Sequence, residues 1–321
     1  MILPYFLLLI GLVLLAFSGD WLVRGGSSLA KRFHVSPLVI GVTIVSLGTS
    51  APELVVSLNA AVTGHPDISV GNVMGSNIAN IALVLGFTAL FISIPVSRKT
   101  IRFDWSVMMF ATVLFLLFSL LNDVLLLWQG VVFVVLLVGY VFLSIHSSRI
   151  EMRGKIKEIP PFNTLTSLGI VVGSIGGLIL GSNLLVTNAS IIASAWGVSE
   201  RIISVSVIAF GTSLPELATS LMAAVRKELD ISVGNLIGSN IFNLFGILGV
   251  TSIVTAVDNN PDTVLTVNEK TLNFDWYWVF GIALLLFIFM QPVKKASIKW
   301  WHGLIFLLAY FTYYYIVFFI P

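Results

Sequence analysis

The sequence predicts an all-α membrane protein of ten transmembrane helices, arranged as two inverted five-helix repeats. Three observations carry this. The 321 residues are 57% hydrophobic and only 10% charged, whereas a soluble domain carries about 25% charged residues. The basic residues gather on alternate connections between apolar stretches. Two polar motifs recur at one fixed offset.

A spanning helix needs about 20 apolar residues. Ten stretches qualify: 2–22, 36–62, 68–94, 104–121, 124–145, 165–187, 200–224, 231–254, 276–291 and 301–320. The ninth is short and is expected to extend. The opening stretch, Ile2 to Phe17, has no basic start and runs into Gly19-Asp20-Trp21 without a small-x-small cleavage pattern. It reads as the first span rather than a leader. The absence of cysteine excludes disulfides and thiolate metal sites. A net charge of +2 gives no reason to expect a nucleic-acid partner.

The Lys and Arg positions test the topology. Arg24, Lys31 and Arg32 follow the first span, and Arg98, Lys99 and Arg102 the third. Arg149, Arg153, Lys155 and Lys157 follow the fifth, Arg226 and Lys227 the seventh, and Lys294, Lys295 and Lys299 the ninth. Only Arg201 and Lys270 fall on the other side. Basic residues mark the cytoplasmic side. Both termini are therefore expected outside, with a cytoplasmic linker over 147–162. The loop 255–275, with Asp258, Asp262, Glu269 and Asp275, is expected outside as well.

Residues 48–54 read GTSAPEL and 211–217 read GTSLPEL; residues 67–80 read DISVGNVMGSNIAN and 230–243 read DISVGNLIGSNIFN. Both pairs are separated by 163 residues, and Val35-Ser36 aligns upstream with Val198-Ser199. Downstream, Phe103-Asp104-Trp105 recurs as Phe274-Asp275-Trp276, and Trp128-Gln129-Gly130 resembles Trp301-His302-Gly303, with the offset growing to 171 and then 173. The chain thus divides into a first five-span repeat over 1–146, the linker 147–162, and a second repeat over 163–321. Five is odd, so the second repeat enters the membrane from the opposite side. Inverted repeats are a plan of secondary transporters, which place their ion sites near the midplane. A duplication kept only for packing would account for apolar matches; here the polar residues match best.

Glu53 and Glu216 lie well inside apolar spans, where a charge costs about 2.5–3.5 kcal/mol. No Lys or Arg lies at comparable depth, so both are expected to face a cavity or a cation. Pro52 and Pro215 lack an N–H and clash with the carbonyl four residues back, so each span should kink and release the carbonyls of Gly48 and Gly211. Thr49 and Ser50 precede Glu53 by four and three residues, and Thr212 and Ser213 precede Glu216 likewise. Carboxylates, hydroxyls and carbonyls make an all-oxygen ligand set, suited to hard cations such as Ca²⁺. On the partner spans Asn72, Ser76 and Asn80 recur every four residues, as do Asn235, Ser239 and Asn243. Asn77 and Asn240 lie off that stripe, where hydrogen bonding between helices and ligation are equally open. Gly71 with Gly75 and Gly234 with Gly238 are spaced for close helix approach. Asp104 and Asp275 read as interfacial helix caps, and Asp67 and Asp230 as partners of helix N-termini. The four histidines form no pair with ligand spacing.

At these motifs the chain resembles the Ca²⁺/cation antiporter superfamily, specifically its sodium/calcium exchanger branch. The resemblance covers both signature repeats in order and, with the five-plus-five topology, essentially the whole chain. It implies exchange of Ca²⁺ for Na⁺ by alternating access, no enzymatic activity, no cofactor, and four central cation sites in a diamond that share Glu53 and Glu216. It further implies Ca²⁺ ligation by the backbone carbonyls of Thr49 and Thr212. One sodium site would be lined by Ser46, Ser50 and Ser76, and another by Ser213, Ser239 and the carbonyl of Ala209. Asn80 and Asn243 would complete the middle. Some exchangers, including potassium-dependent ones, carry Asp where this chain has Asn243, which argues against potassium dependence here. Exchange of Ca²⁺ for H⁺ is the alternative. A cation channel is a lesser one, because channel filters usually come from symmetric rings of subunits.

Overall fold

The computed structural model describes residues 2–154, 159–197, 209–257, 264–291 and 296–319. Val198, Ser199, the start of the seventh expected span (200–208, with Arg201), Lys155, Lys157, Asp258, Asp262, Lys294 and Lys295 lie outside the described residues. The helices are α1 (Ile2–Phe33), α2 (Pro37–Thr49), α3 (Ala51–Val62), α4 (Pro66–Phe91), α5 (Thr100–Leu121), α6 (Leu127–Met152), α7 (Thr164–Ala195), α8 (Ala209–Thr212), α9 (Leu214–Val225), α10 (Leu229–Val257), α11 (Thr271–Phe289) and α12 (Trp300–Phe319). Seven of the described helices are long and apolar enough to cross a membrane, or eight when α2 and α3 count as one broken span. The outer faces of α1, α6 and α12 carry exposed apolar side chains such as Phe6, Phe17, Val135, Phe142 and Phe311, as lipid contact requires.

The helices form two compact units, each drawing on both halves of the sequence. One runs up to Thr49 and resumes over Ser148–Asn235. Here α1 and α7 pack along one another. A Cβ at Gly11 would lie 2.8 Å from the Gly181 carbonyl, and one at Gly181 would lie 3.1 Å from the Gly11 carbonyl, so the two backbones touch. At 32 residues, α1 is about 48 Å long and continues past the expected end at residue 22. Gly25 and Gly26 are buried and do not stop it. A polar cluster stabilises the overhang: Asp20 pairs with Arg24 at 3.0 Å and with Arg226, and the Ser27 hydroxyl donates to Glu228 at 2.9 Å. Helix α7 is capped by Asn163, whose Oδ1 accepts the Thr166 N–H at 2.8 Å.

The other unit comprises Ser50–Ser147 and the chain from Leu236 onward. Its contacts come in pairs whose members are separated by the repeat offset. The Trp105 indole donates to the Ala283 carbonyl at 2.8 Å, and the Trp276 indole to that of Thr112 at 2.9 Å. A Cβ at Gly86 would lie 3.1 Å from the Gly303 carbonyl, and one at Gly130 would lie 2.8 Å from that of Gly249. The two-residue strands β1 (Ile94–Pro95) and β2 (Ser297–Ile298) pair antiparallel, and the bridge between Val124 and Thr266 repeats that contact. Gln129 Oε1 accepts the Leu126 N–H, and His302 Nδ1 accepts that of Lys299, so the residue between Trp and Gly caps its helix in both copies.

Asp104 and Asp275 are not the helix caps expected of them. Each is followed and preceded by helix, because α5 and α11 begin one turn earlier, at Thr100 and Thr271, with a π-helical segment. The capping falls to Ser97 and Asn268, which accept the N–H groups of Thr100 and Thr271 at 3.1 and 2.7 Å. The two carboxylates instead accept a phenol each: Tyr140 Oη donates to Asp104 at 2.9 Å and Tyr313 Oη to Asp275 at 2.9 Å. Asp104 is buried, whereas Asp275 is half-buried. Tyr140→Phe is therefore expected to destabilise the protein by about 1–3 kcal/mol, the cost of stranding a buried acceptor. Tyr313→Phe should cost less. Thermal unfolding of the detergent-solubilised variants measures both.

Candidate functional site

The heptapeptide folds alike in its two copies. Helix α2 stops at Thr49 and α8 at Thr212. The next residue, Ser50 or Ser213, has φ −85° ψ 6° or φ −87° ψ 2°, outside the helical region. A new helix then starts with its proline in the first two positions, where no N–H is needed. The break thus falls two residues beyond the glycine expected from the proline clash. Each glutamate sits in the first turn of the new helix, where the helix dipole favours negative charge. Both are buried, Glu53 at 1% and Glu216 at 0% exposure. A chain buries a carboxylate this fully only where something compensates it.

In the first unit Asn235 of α10 links α9, the helix that continues the second copy of the motif, to Thr49 of α2. Asn235 Nδ2 donates to Ser220 Oγ at 3.2 Å, and Asn235 Oδ1 accepts the Thr49 hydroxyl at 3.0 Å. The Thr49 hydroxyl also reaches the Ser46 carbonyl at 3.4 Å, and Ser46 Oγ donates to the Thr43 carbonyl at 3.2 Å. Ser182 Oγ donates to the Gly211 carbonyl at 2.6 Å, so that carbonyl is occupied rather than released. Ser213 Oγ and Thr219 Oγ1 are buried and have no hydrogen-bond partner among the described residues. Thr212 is half-buried. Ala209 opens α8, and its side chain lies outside the described atoms.

In the second unit Asn72 Nδ2 donates to Ser57 Oγ at 2.9 Å and to the Glu53 carbonyl at 3.3 Å. Asn72 and Ser57 thus repeat the pairing of Asn235 and Ser220. Ser50, Ser76, Asn80, Ser239 and Asn243 are all buried here. Asn80 and Asn243 each lie in a π-helical segment, Ala79–Leu85 and Phe242–Ile247. Their Oδ1 atoms are buried without a hydrogen-bond partner among the described residues. Asn77 and Asn240 cross-link the two helices: each side-chain Nδ2 donates to the other's backbone carbonyl, at 3.4 and 3.3 Å. Ser57 and Ser220 were not singled out from the sequence. They stand 163 residues apart like the rest of the repeat, and extending GTSxPEL by three residues finds them.

The available donors to a cation are oxygens of carboxylates, hydroxyls, amides and carbonyls. Such sets hold Na⁺ and Ca²⁺ and reject soft metals. A many-helix membrane fold with buried glutamates at two proline-marked helix breaks defines a membrane transport protein. The chain belongs to the sodium/calcium exchanger protein family, whose model matches residues 3–146 and 166–319. It is 38% identical over 317 residues to the putative antiporter CaxA of Alkalimonas amylolytica, covering 97% of both chains. It is 30% identical over 355 residues to the sodium/calcium exchanger MaX1 of Methanosarcina acetivorans, covering 98% of this chain and 99% of that one. The solved structure of the sodium-calcium exchanger NCX_Mj, soaked without Na⁺ and Ca²⁺, matches with a TM-score of 0.82 at 32% identity, covering 97% of each chain.

Proposed function

We propose that this protein exchanges Ca²⁺ for Na⁺ across the cell membrane by alternating access. The observation that carries the reading is the pair of buried glutamates, each opening a helix restarted after a break. In this reading Glu53 and Glu216 carry the charge that the transported cation balances. Thr49, Thr212, Ser46, Ser50, Ser76, Ser213, Ser239, Asn80, Asn243 and the Ala209 carbonyl supply the remaining oxygens. The named activity of MaX1 and NCX_Mj supports Na⁺ and Ca²⁺ as the exchanged ions. Ten transmembrane helices in two inverted repeats, over 1–146 and 163–321, complete the proposal. Contacts recurring at the repeat offset support the duplication. The distribution of basic residues supports a cytoplasmic linker at 147–162 and termini outside.

Charge explains obligatory coupling. Two glutamates carry two negative charges. One Ca²⁺ cancels them, three Na⁺ leave one positive charge, and two protons leave none. The empty form would carry two uncompensated charges through a low-dielectric interior, which is costly. Loaded forms therefore reorient and the empty form does not, so one ion leaves only when another replaces it.

Reconstitution in liposomes tests the reading. An outward Na⁺ gradient is expected to drive ⁴⁵Ca²⁺ uptake, with an imposed inside-positive potential altering the rate. Uptake indifferent to Na⁺ and driven by a pH gradient would replace Na⁺ by H⁺. Single-channel currents would replace the carrier by a channel.

A further inference from the structure

We propose that Asn77 and Asn240 are positioning residues that set the polarity of the Asn80 and Asn243 carboxamides, so that both present oxygen to the transported cation. The proposal rests on the exchange reading above. A carboxamide has a donor end and an acceptor end of nearly the same shape, and its orientation follows from the hydrogen bonds around it. An asparagine in a cation site is useful only with its oxygen turned inward. With the amide reversed it would present two N–H groups to a positive charge.

The network removes that ambiguity step by step. The backbone carbonyl of Asn77 can only accept, so the end of Asn240 that meets it at 3.3 Å is Nδ2. The opposite end of Asn240 is then Oδ1, which can only accept, so the end of Asn80 that meets it at 3.1 Å is Nδ2. Asn80 Oδ1 is left facing away from Asn240, buried and without a hydrogen-bond partner among the described residues. The second copy repeats the logic. The Asn240 carbonyl fixes Asn77 Nδ2 at 3.4 Å, Asn77 Oδ1 accepts Asn243 Nδ2 at 3.0 Å, and Asn243 Oδ1 is left over. All four side chains are at most 2% exposed, so bulk water does not scramble the chain. The Met108 sulfur, 3.6 Å from Asn240 Nδ2, is a weak acceptor on the same donor end and agrees with the assignment. A backbone carbonyl of each repeat thus dictates, through an asparagine of the other repeat, which atom its own repeat offers to the ion.

The test is equilibrium ⁴⁵Ca²⁺ binding by the purified full chain, which depends on neither the counter-ion nor transport. Asn240→Ala frees the Asn80 amide to rotate and should weaken half-saturation about tenfold, the worth of one oriented hydrogen-bonding group. Asn80→Asp supplies oxygen at both ends, so orientation no longer matters. In that background Asn240→Ala should change half-saturation less than about twofold, a non-additivity read by a double-mutant cycle. An equal effect of Asn240→Ala in both backgrounds, or none in the parent, would overturn the proposal. If Asn240→Ala does not fold, Asn77→Ala with Asn243→Asp repeats the comparison in the other copy. Failure of both to fold marks the pair as purely structural and overturns it too. Parent protein that binds Ca²⁺ without exchanging it refutes the exchange reading alone; parent protein that binds none refutes both.

Discussion

Glu53→Gln is expected to lower Ca²⁺ exchange by about 100-fold or more and to leave the folded protein intact. Glutamine keeps the length of the side chain and one oxygen but deletes the charge. Removing one partner of a buried charge pair costs about 3–5 kcal/mol, and about 2.7 kcal/mol already corresponds to 100-fold. With one negative charge left, Ca²⁺ would bring a surplus charge into the protein interior. Folding should not suffer, since a buried neutral amide is cheaper to desolvate than a buried carboxylate. Glu216→Gln should behave the same way, because its helix start and burial are the same. The measurement is Na⁺-gradient-driven ⁴⁵Ca²⁺ uptake in proteoliposomes, with thermal unfolding as the folding control. Parent-like uptake by Glu53→Gln would remove that residue from the transport step.

Gly234→Val should cost about 3 kcal/mol of stability, near the upper end for overpacking. A Cβ at Gly234 would lie 2.6 Å from the Leu38 carbonyl and 3.1 Å from the Gly41 Cα and the Val42 N. These are backbone atoms of α2 and cannot rotate aside. Pushing α2 and α10 apart would also separate Thr49 from Asn235, now 3.0 Å apart, so exchange should fall even in the molecules that still fold. Gly281→Ala is the control. Gly281 is exposed, and its Cβ would meet nothing within 4 Å among the described residues, so stability should stay within about 0.5 kcal/mol of the parent. Thermal unfolding in detergent separates the two; equal melting of Gly234→Val and Gly281→Ala would refute the packing account.

The sequence announced the paired helix breaks because proline and a polar motif at a fixed step are local signals, and burial of Glu53 and Glu216 followed from their apolar flanks. Close approach at Gly234 was legible for the same reason, although Gly75 has only an ordinary contact, Tyr314 Oη at 4.0 Å, among the described residues. What stayed hidden depends on chain partners far away in sequence. The run from Asp20 to Arg32 looked like the end of α1, because nothing local says that Arg226 and Glu228 will come to meet it. Asp104 looked like a cap because a π-helical segment adds a turn that periodicity does not register. Asn77 and Asn240 lie off the four-residue stripes, such as that of Asn72, Ser76 and Asn80, where spacing leaves hydrogen bonding between helices and ligation equally open; contacts across 163 residues show the hydrogen bonds.

The glycine contact between Gly86 and Gly303 bears on how the protein is made. The two residues are 217 positions apart, and α12, which carries Gly303, is the last helix described. At roughly 5–20 residues per second of synthesis, the groove at Gly86 waits some tens of seconds for its partner to leave the ribosome. The groove at Gly130 is filled earlier, by Gly249. Lipid tails, or the insertion machinery, must fill the vacant seam in the meantime and then yield it. Chains cut off before residue 300 would keep it open, and would be expected to be recognised and degraded by membrane quality control instead of maturing.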